Sequence, residues 1–179
     1  MDTARLEYES YATLGYVKVI FHDLTGGYLV IHPDHGQNEW EENKRIGRML
    51  AELGDSVVLL PNMEGRPSPD ALRNGAEWEF KTIQASNLKN AVQNALRKGK
   101  TQSTNIICFV NMLYNIENIT LGIYNAVKFD KDGRIAKIGI LFQDGRLVEM
   151  SREEVISRLF IGRFYQKIKE DGRNPEPPS

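Results

Sequence analysis

The sequence has few of the features that mark specialised classes of protein. Its 179 residues include one cysteine, Cys108, which excludes an intramolecular disulfide and is typical of a reducing compartment. No apolar run reaches the ~20 residues that a membrane-spanning helix needs, and no signal-peptide pattern opens the chain. The sequence therefore predicts a soluble, cytoplasmic protein that does not contact a membrane.

An excess of positive charge is also missing. Lys and Arg number 23 against 24 Asp and Glu, so the formal net charge is −1. A protein without a global basic field needs a local patch to bind nucleic acid. The one clear patch lies on a predicted helix over about 87–98 and just beyond it. Its basic residues are Lys89, Arg97, Lys98 and Lys100. The alternative for this patch is an ordinary solvated surface.

What is present is a regular succession of strands and helices. Apolar runs between turn residues predict strands, and apolar residues at helical spacing predict helices. The order of these elements predicts an α/β (α+β) fold with a mixed sheet flanked by helices. We expect one domain over residues 1–169 and a disordered tail over 170–179. The predicted strands lie at 16–22, 28–31 (a hairpin), 56–61, 77–82, 104–112, 127–129, 135–142 and 147–150.

The predicted helices have recognisable ends. One short helix falls within 1–15, and another covers 39–53, with Asn38 as its N-cap and Gly54 at its end. Ser86 is predicted to cap the helix over 87–98. Ser151 and Glu154 form a capping box that opens a helix to about 168. Residues 115–126 fit either a helix or a strand.

A charged strand is the centre of the functional argument. Alternation along residues 77–82 puts Glu77, Glu79 and Lys81 on one face and two aromatic side chains on the other. This pattern predicts a half-buried strand with a charged side. Asp70 ends a loop nine residues before Glu79, and the Asn-Gly pair between them predicts a type I′ hairpin turn.

Two carboxylates and a lysine suit the metal-dependent hydrolysis of a phosphodiester. Asp70 and Glu79 would hold Mg²⁺ or Mn²⁺, and Lys81 would hold the attacking water or the charged phosphoryl oxygens. Glu42 falls on the apolar side of the preceding helix, where it would be a third ligand or orient a metal-bound water. The acids would repel one another without the cation, so the metal-free protein should be less stable. Glu77 is the reserve candidate. The ordinary alternative is a surface strand with an ion pair.

Two histidines offer a separate possibility. His32 and His35 flank Asp34 after the second strand, and these residue types bind metals. No further His or Cys completes a ligand shell nearby. The alternative is a loop of solvated polar residues.

An ordered set of residues resembles a known superfamily. The set resembles the PD-(D/E)XK nucleases and, more closely, the tRNA-nuclease C-terminal toxin domains of contact-dependent growth inhibition (CdiA-type) proteins, which also occur on phage and mobile-element proteins. The resemblance covers about residues 20–112. It rests on Glu42-Asn43-Lys44-Arg45-Ile46, Leu50-Ala51-Glu52-Leu53-Gly54, Val57, Leu59-Leu60-Pro61, Pro69-Asp70-Ala71, Asn74-Gly75, Trp78-Glu79-Phe80-Lys81-Thr82, Asn90-Ala91, Ala95-Leu96-Arg97-Lys98-Gly99-Lys100 and Gln102.

The resemblance implies site residues and a fold. The family's helix acid falls on Glu42, its motif acids on Asp70 and Glu79, its lysine on Lys81 and a helix-end glutamine on Gln102. The family implies a three-layer α/β core with a mixed central sheet and a divalent metal. Residues 113–169 form a β-rich and helical extension without a match in the family.

The resemblance also implies what the protein does. We expect a metal-dependent nuclease that acts on RNA such as tRNA, delivered as a toxin into a target-cell cytoplasm and neutralised by a cognate immunity protein. The alternative substrate is DNA. The alternative of another class is a non-catalytic binding or structural module of a phage or mobile-element protein.

Overall fold

The computed structural model describes residues 3–36, 39–63 and 65–169. The helices in these ranges are α1 (Thr3–Thr13), α2 (Trp40–Glu52), α3 (Leu88–Gly99), α4 (Ile116–Lys128), α5 (Arg152–Ile156) and α6 (Leu159–Lys169). The strands are β1 (Val17–Phe21), β2 (Tyr28–Ile31), β3 (Ser56–Leu59), β4 (Ala71–Arg73), β5 (Ala76–Ile83), β6 (Asn105–Val110), β7 (Lys137–Phe142) and β8 (Leu147–Ser151).

The chain divides into two compact units between Phe80 and Lys81, within β5. Unit 1 precedes this division and unit 2 follows it. Each unit contains both parallel and antiparallel strand pairs and its own helices, which confirms the predicted α/β class with mixed strands flanked by helices. The expectation of one domain over residues 1–169 stays a prediction.

The strands of unit 1 pair around β2, which is apolar along its whole length. β1 and β2 form the predicted antiparallel hairpin, and β2 pairs in parallel with β3. β4 then pairs antiparallel with both β3 and β5. All four residues of β2 are buried, as expected for a strand covered on both faces. Helix α1 packs on β1 and β2, and α2 packs on β2 and β3.

A two-residue turn fixes the register between β4 and β5. Asn74 and Gly75 have φ angles of 50° and 78°, the left-handed values that a type I′ turn requires at both central positions. The predicted hairpin is therefore confirmed. The Asp55 carboxylate accepts hydrogen bonds from the Asn74 amide and the Arg73 guanidinium, both at 2.6 Å. These bonds tie the turn to the beginning of β3.

The described part of unit 2 combines strands β6 to β8 with helices α3 to α6. β6 and β7 are parallel, and β7 and β8 are antiparallel. Helix α3 packs on β6 and on α4, while α5 and α6 pack on β8. Most of the buried side chains of this unit are Ile, Val, Leu and Phe from these elements. None of the described helices combines the length and the hydropathy that crossing a bilayer requires.

Several predicted boundaries in unit 2 are wrong. The strand expected at 127–129 is instead the end of α4, which also resolves the ambiguous segment 115–126 as helix. The helix expected from Ser151 to 168 is broken at Arg158, whose φ of 60° ends the first helix and reorients the chain for the second. The capping box of Ser151 and Glu154 is confirmed. Helix α3 is capped by Asn87, not by Ser86.

Two other predictions fall partly or wholly outside the described residues. The proposed cap of α2, Asn38, is one of them, and the N-cap position of that helix is Glu39, without a side-chain capping bond. The tail over 170–179 is the other.

Gly54, with a φ of 99°, follows the last turn of α2 as predicted, because glycine adopts this conformation without strain.

Candidate active site

The carboxylate of Asp70 is buried and held by two hydrogen bonds. Asp70 lies immediately before β4 and is only 8% exposed. Oδ1 accepts from the side-chain amide of Asn43 at 3.1 Å, and Oδ2 accepts from the backbone N–H of Phe80 at 2.8 Å. These two donors come from α2 and β5. The carboxylate is therefore fixed by elements far apart in sequence.

The register of the hairpin places a second acid beside Asp70. Ala71 of β4 pairs with Trp78 of β5, so the same register continued by one residue puts Asp70 opposite Glu79. Residues directly opposite each other in an antiparallel pair project from the same face of the sheet. This register favours a pair formed by the Asp70 and Glu79 carboxylates within unit 1, and their role as metal ligands stays a prediction.

Glu79 lies deeper than the sequence suggests. It is 0% exposed, and its neighbours Trp78 and Phe80 are also buried. The expectation of a half-buried strand with an open charged face is therefore wrong at this position. Alternation predicts one covered face, but this part of β5 is covered on both. A carboxylate removed from water is stable only when it is paired, protonated or bound to a cation.

Asn43 is a site residue that sequence reasoning missed. It is 4% exposed, and its amide contacts both Asp70 and the imidazole of His35. A signal was available, because Asn43 precedes Ile46 by three residues and Leu50 by seven. Positions at this spacing share the buried face of a helix. A polar residue on that face needs buried hydrogen-bond partners.

The expectation that Glu42 lies along the buried side of α2 is wrong. Glu42 is exposed, while the next residue, Asn43, turns inward. Glu42 falls only at the edge of the apolar stripe, and a charged side chain at such an edge moves into water. Its role as a metal ligand or catalytic residue stays a prediction.

The two histidines do not form a metal site. His35 is 4% exposed and uses both ring nitrogens in hydrogen bonds, to the Leu60 carbonyl at 2.6 Å and to Asn43 at 3.1 Å. His32 instead packs edge-on against Tyr16 and accepts from the Asp34 amide. Among residues 3–36, 39–63 and 65–169, no three His, Cys, Asp or Glu side chains could hold one metal ion.

Lys81 and Gln102 meet in unit 2. The ammonium of Lys81 donates to Oε1 of Gln102 at 3.3 Å, and both side chains are half-buried. Burial raises the pKa of the Cys108 thiol to about 12, while the charge of Lys81 acts to lower it. The two residues that the family resemblance selected are brought into contact.

The predicted basic patch separates into two parts. Arg97 and Lys98 are exposed in the last turn of α3, and Lys89 is half-buried in the first. Lys100 does not project with them, because its ammonium pairs with the buried Asp130 at 2.7 Å. A buried acid requires such a partner, and this requirement is not visible in the helix sequence.

The carboxylate pair in unit 1 fits a hard divalent cation. Each oxygen of Asp70 accepts one described hydrogen bond, and a carboxylate oxygen has two lone pairs. Coordination capacity therefore remains beside Glu79. Mg²⁺ commonly binds proteins through one or two carboxylates and completes its shell with water and phosphate oxygens. A third protein ligand is not required.

Comparisons with known proteins place part of the chain in context. None of the curated proteins matches the sequence. Among solved structures, the CdiA-CT/CdiI toxin and immunity complex from Burkholderia pseudomallei is similar at 18% sequence identity and a TM-score of 0.46. That match covers 64% of this chain and 85% of the other. Residues 66–147, which include Asp70, Glu79, Lys81 and Gln102, match the model of the contact-dependent growth inhibition CdiA C-terminal domain.

Proposed function

We propose that this chain is a toxin-type, metal-dependent nuclease that cleaves RNA such as tRNA. The observation that carries the proposal is the buried carboxylate of Asp70, fixed by Asn43 and the Phe80 amide opposite Glu79. The family match over residues 66–147 supports a toxin domain and includes both acids.

Each candidate residue has a distinct role in this proposal. Asp70 and Glu79 would hold Mg²⁺ or Mn²⁺, which when bound activates water and stabilises charge on phosphoryl oxygens. Lys81 stabilises negative charge that develops on the phosphate. Gln102 accepts a hydrogen bond from Lys81 and restricts its orientation. Glu42 would serve, as the resemblance implies, as a third ligand or to orient a metal-bound water.

The substrate would be held mainly through its backbone. Arg97 and Lys98 are exposed on one helical turn, and Lys89 adds a third positive charge on α3. Contacts between such side chains and phosphates give an affinity that falls with salt and shows little sequence preference. The resemblance to toxin domains also implies a cognate immunity protein as a partner.

The complete burial of Glu79 favours a second candidate function. A reaction centre must admit a phosphodiester, whereas a structural acid can stay covered. The second candidate is therefore a non-catalytic binding or structural module that keeps the fold.

Incubation of the purified chain with tRNA and, separately, plasmid DNA tests the proposal. Mg²⁺ or Mn²⁺ should support tRNA cleavage and EDTA should stop it. Asp70→Ala should abolish cleavage, and Lys81→Ala should reduce the rate by about 10²–10³-fold because a charge-stabilising group is lost. The matched controls are Asp132→Ala and Lys131→Ala, an acid and a lysine in one exposed turn.

Each outcome assigns a function. Cleavage of DNA instead of tRNA would replace the proposed substrate and keep the chemistry. Binding of tRNA without metal-dependent cleavage would favour the non-catalytic module. Cleavage that persists in Asp70→Ala would show that the candidate site does not perform the reaction.

A further inference from the structure

A continuous chain of buried hydrogen bonds leads to the Asp70 carboxylate within unit 1. Its members are the Leu60 carbonyl, the His35 ring, the Asn43 amide and Asp70. His35 follows β2, Asn43 lies on α2, and Leu60 follows β3. Three separate segments therefore converge on one carboxylate.

The Leu60 carbonyl and the Asp70 carboxylate form the two ends of this chain of hydrogen bonds. Both are acceptors, and this determines which groups between them donate. A backbone carbonyl only accepts, so Nδ1 of His35 carries the proton that is shared with Leu60 at 2.6 Å. At the other end, the NH₂ group of Asn43 donates to Oδ1 of Asp70 at 3.1 Å. The reversed amide would place its oxygen against a carboxylate oxygen.

The middle bond then has one possible direction. The same Nδ2 atom of Asn43 lies 3.1 Å from Nε2 of His35. An NH₂ group has two protons, and its nitrogen does not accept. One proton goes to Asp70 and the other to Nε2, so Nε2 accepts and carries no proton. The geometry assigns a neutral His35 with its proton on Nδ1.

This arrangement fixes the plane of the Asn43 amide. With both of its protons used, the amide cannot rotate without breaking two buried hydrogen bonds. His35 and Asn43 are each 4% exposed, so water cannot easily replace the lost partners. The Phe80 amide restrains the other carboxylate oxygen of Asp70. The carboxylate is therefore restrained at both oxygens.

We propose that His35 and Asn43 are positioning residues that hold the Asp70 carboxylate in the orientation required to bind a divalent cation. The inference rests on the proposed function, because it assigns Asp70 as a metal ligand. Partners that orient a metal ligand typically contribute 10–100-fold to metal affinity. Asn43 acts on Asp70 directly, and His35 acts through Asn43.

Metal affinity is the first measurement. Titration calorimetry with Mn²⁺ compares the unaltered chain with Asn43→Leu, which keeps a similar volume and removes the donor. Affinity should fall about 10–100-fold. His35→Phe should cause a smaller loss, since Asn43 still reaches Asp70. Asn94→Leu, an exposed asparagine within α3, and His32→Gln, the neighbouring histidine, should bind Mn²⁺ normally.

The protonation and the chemical shifts of the His35 ring give a second measurement. A purely structural role of His35 would not make these shifts respond to metal binding. Nitrogen-15 NMR of the imidazole rings in the unaltered chain should show a neutral, Nδ1-protonated His35 at pH 7.5. Addition of Mg²⁺ should shift its Nε2 resonance in the unaltered chain and in Asn94→Leu. In Asn43→Leu this response should disappear. His22→Gln and His32→Gln identify the other two rings.

The outcomes separate this inference from the function on which it rests. Normal Mn²⁺ affinity in Asn43→Leu, together with loss of binding in Asp70→Ala, would overturn the positioning role alone. A protonated His35, or one with its proton on Nε2, would overturn the hydrogen-bond assignment. Absence of Mn²⁺ binding by the unaltered chain would overturn the proposed function and the positioning role with it. Misfolding of Asn43→Leu leaves His35→Phe and the NMR response to decide.

Discussion

Asp130 shows how one buried acid can organise its surroundings at the residue scale. It is 2% exposed, and its carboxylate accepts from Lys100, Arg152 and the Ile135 amide. Burial acts to raise the pKa of Asp130, but these donors outweigh it and hold the pKa below its ordinary value. Helix α3, the end of α4 and the beginning of α5 are linked through this single carboxylate.

We expect Asp130→Asn to destabilise the protein by about 3–5 kcal/mol at pH 7, because two cations lose their buried partner. The measurement is urea unfolding, with Asp132→Asn as the matched control in the adjacent exposed turn. The control should change the free energy of unfolding by less than about 0.5 kcal/mol. An equal effect of the two substitutions would contradict the structural role of Asp130.

The pH dependence of this contribution follows from the sign of the pKa shift. The pKa of Asp130 is lower in the folded state than the value of about 3.9 in an unfolded chain. The stabilisation is therefore fully present well above the unfolded-state pKa and is lost as pH falls through the folded-state pKa. The difference in unfolding free energy between the unaltered chain and Asp130→Asn should shrink when it is measured at progressively lower pH in the acid range.

The identity of a residue predicts the chemistry of its side chain better than it predicts which residues that side chain contacts. Asp70, Lys81 and Gln102 were selected from the sequence, and the structure shows specific hydrogen bonds for each. The partners Asn43 and Asp130 were missed because their roles depend on contacts across 27 and 30 residues. Such contacts do not follow from periodicity within one element.

At the scale of elements, signals confined to a few residues predicted the structure well. The Asn74-Gly75 turn and the Ser151 capping box were both predicted, since each is decided by neighbouring residues. The break at Arg158 was not predicted, because the apolar pattern on its two sides continues at helical spacing. The covered charged side of β5 was also missed, since burial depends on what packs over a strand.

Gly122 is required by close packing between two helices of unit 2 and not by its own backbone conformation. A Cβ atom at Gly122 of α4 would lie 2.6 Å from the Lys89 carbonyl oxygen of α3. We expect Gly122→Ala to cost about 1–3 kcal/mol of stability, because the backbones of these helices must move apart. Thermal or urea unfolding measures the effect.

Gly162 provides the matched control for this substitution. It also lies within a helix, α6, but apart from its chain neighbours and the adjacent backbone of α6, no atom of the described residues lies within 4 Å of the position that its Cβ would occupy. Gly162→Ala should leave stability unchanged or raise it by up to about 1 kcal/mol, since alanine favours the helix. If Gly122→Ala were also neutral, close packing of α3 on α4 would not be the reason for that glycine.

At the scale of the whole molecule, the proposed metal site couples binding to stability. A cation that binds only the folded chain stabilises it by about 2.7 kcal/mol at a free concentration 100 times its Kd. Saturating Mg²⁺ or Mn²⁺ should therefore raise the melting temperature, and EDTA should reverse the rise. The shift should vanish in Asp70→Ala and persist in Asp132→Ala. An unchanged melting temperature in the unaltered chain would contradict a metal site at this carboxylate pair.

The class of the whole fold followed from the order of elements, but the strand pairing did not. Alternating strands and helices predicted mixed sheets, and the structure confirms them in both units. Which strands are parallel depends on connections that cross over a sheet. In unit 1 the connection between the parallel strands β2 and β3 contains α2 and the missed residue Asn43, so the missed pairing and the missed site residue have one cause.

The burial of Cys108 has a practical consequence. Its thiol is completely covered in β6, and its pKa of about 12 leaves almost no thiolate at neutral pH. Maleimide dyes and spin labels should therefore not react with the folded protein. A cysteine introduced at exposed Lys98 would be the one reactive thiol and could report on contact with RNA. The slow rate at which Cys108 itself is modified would then measure how often β6 opens.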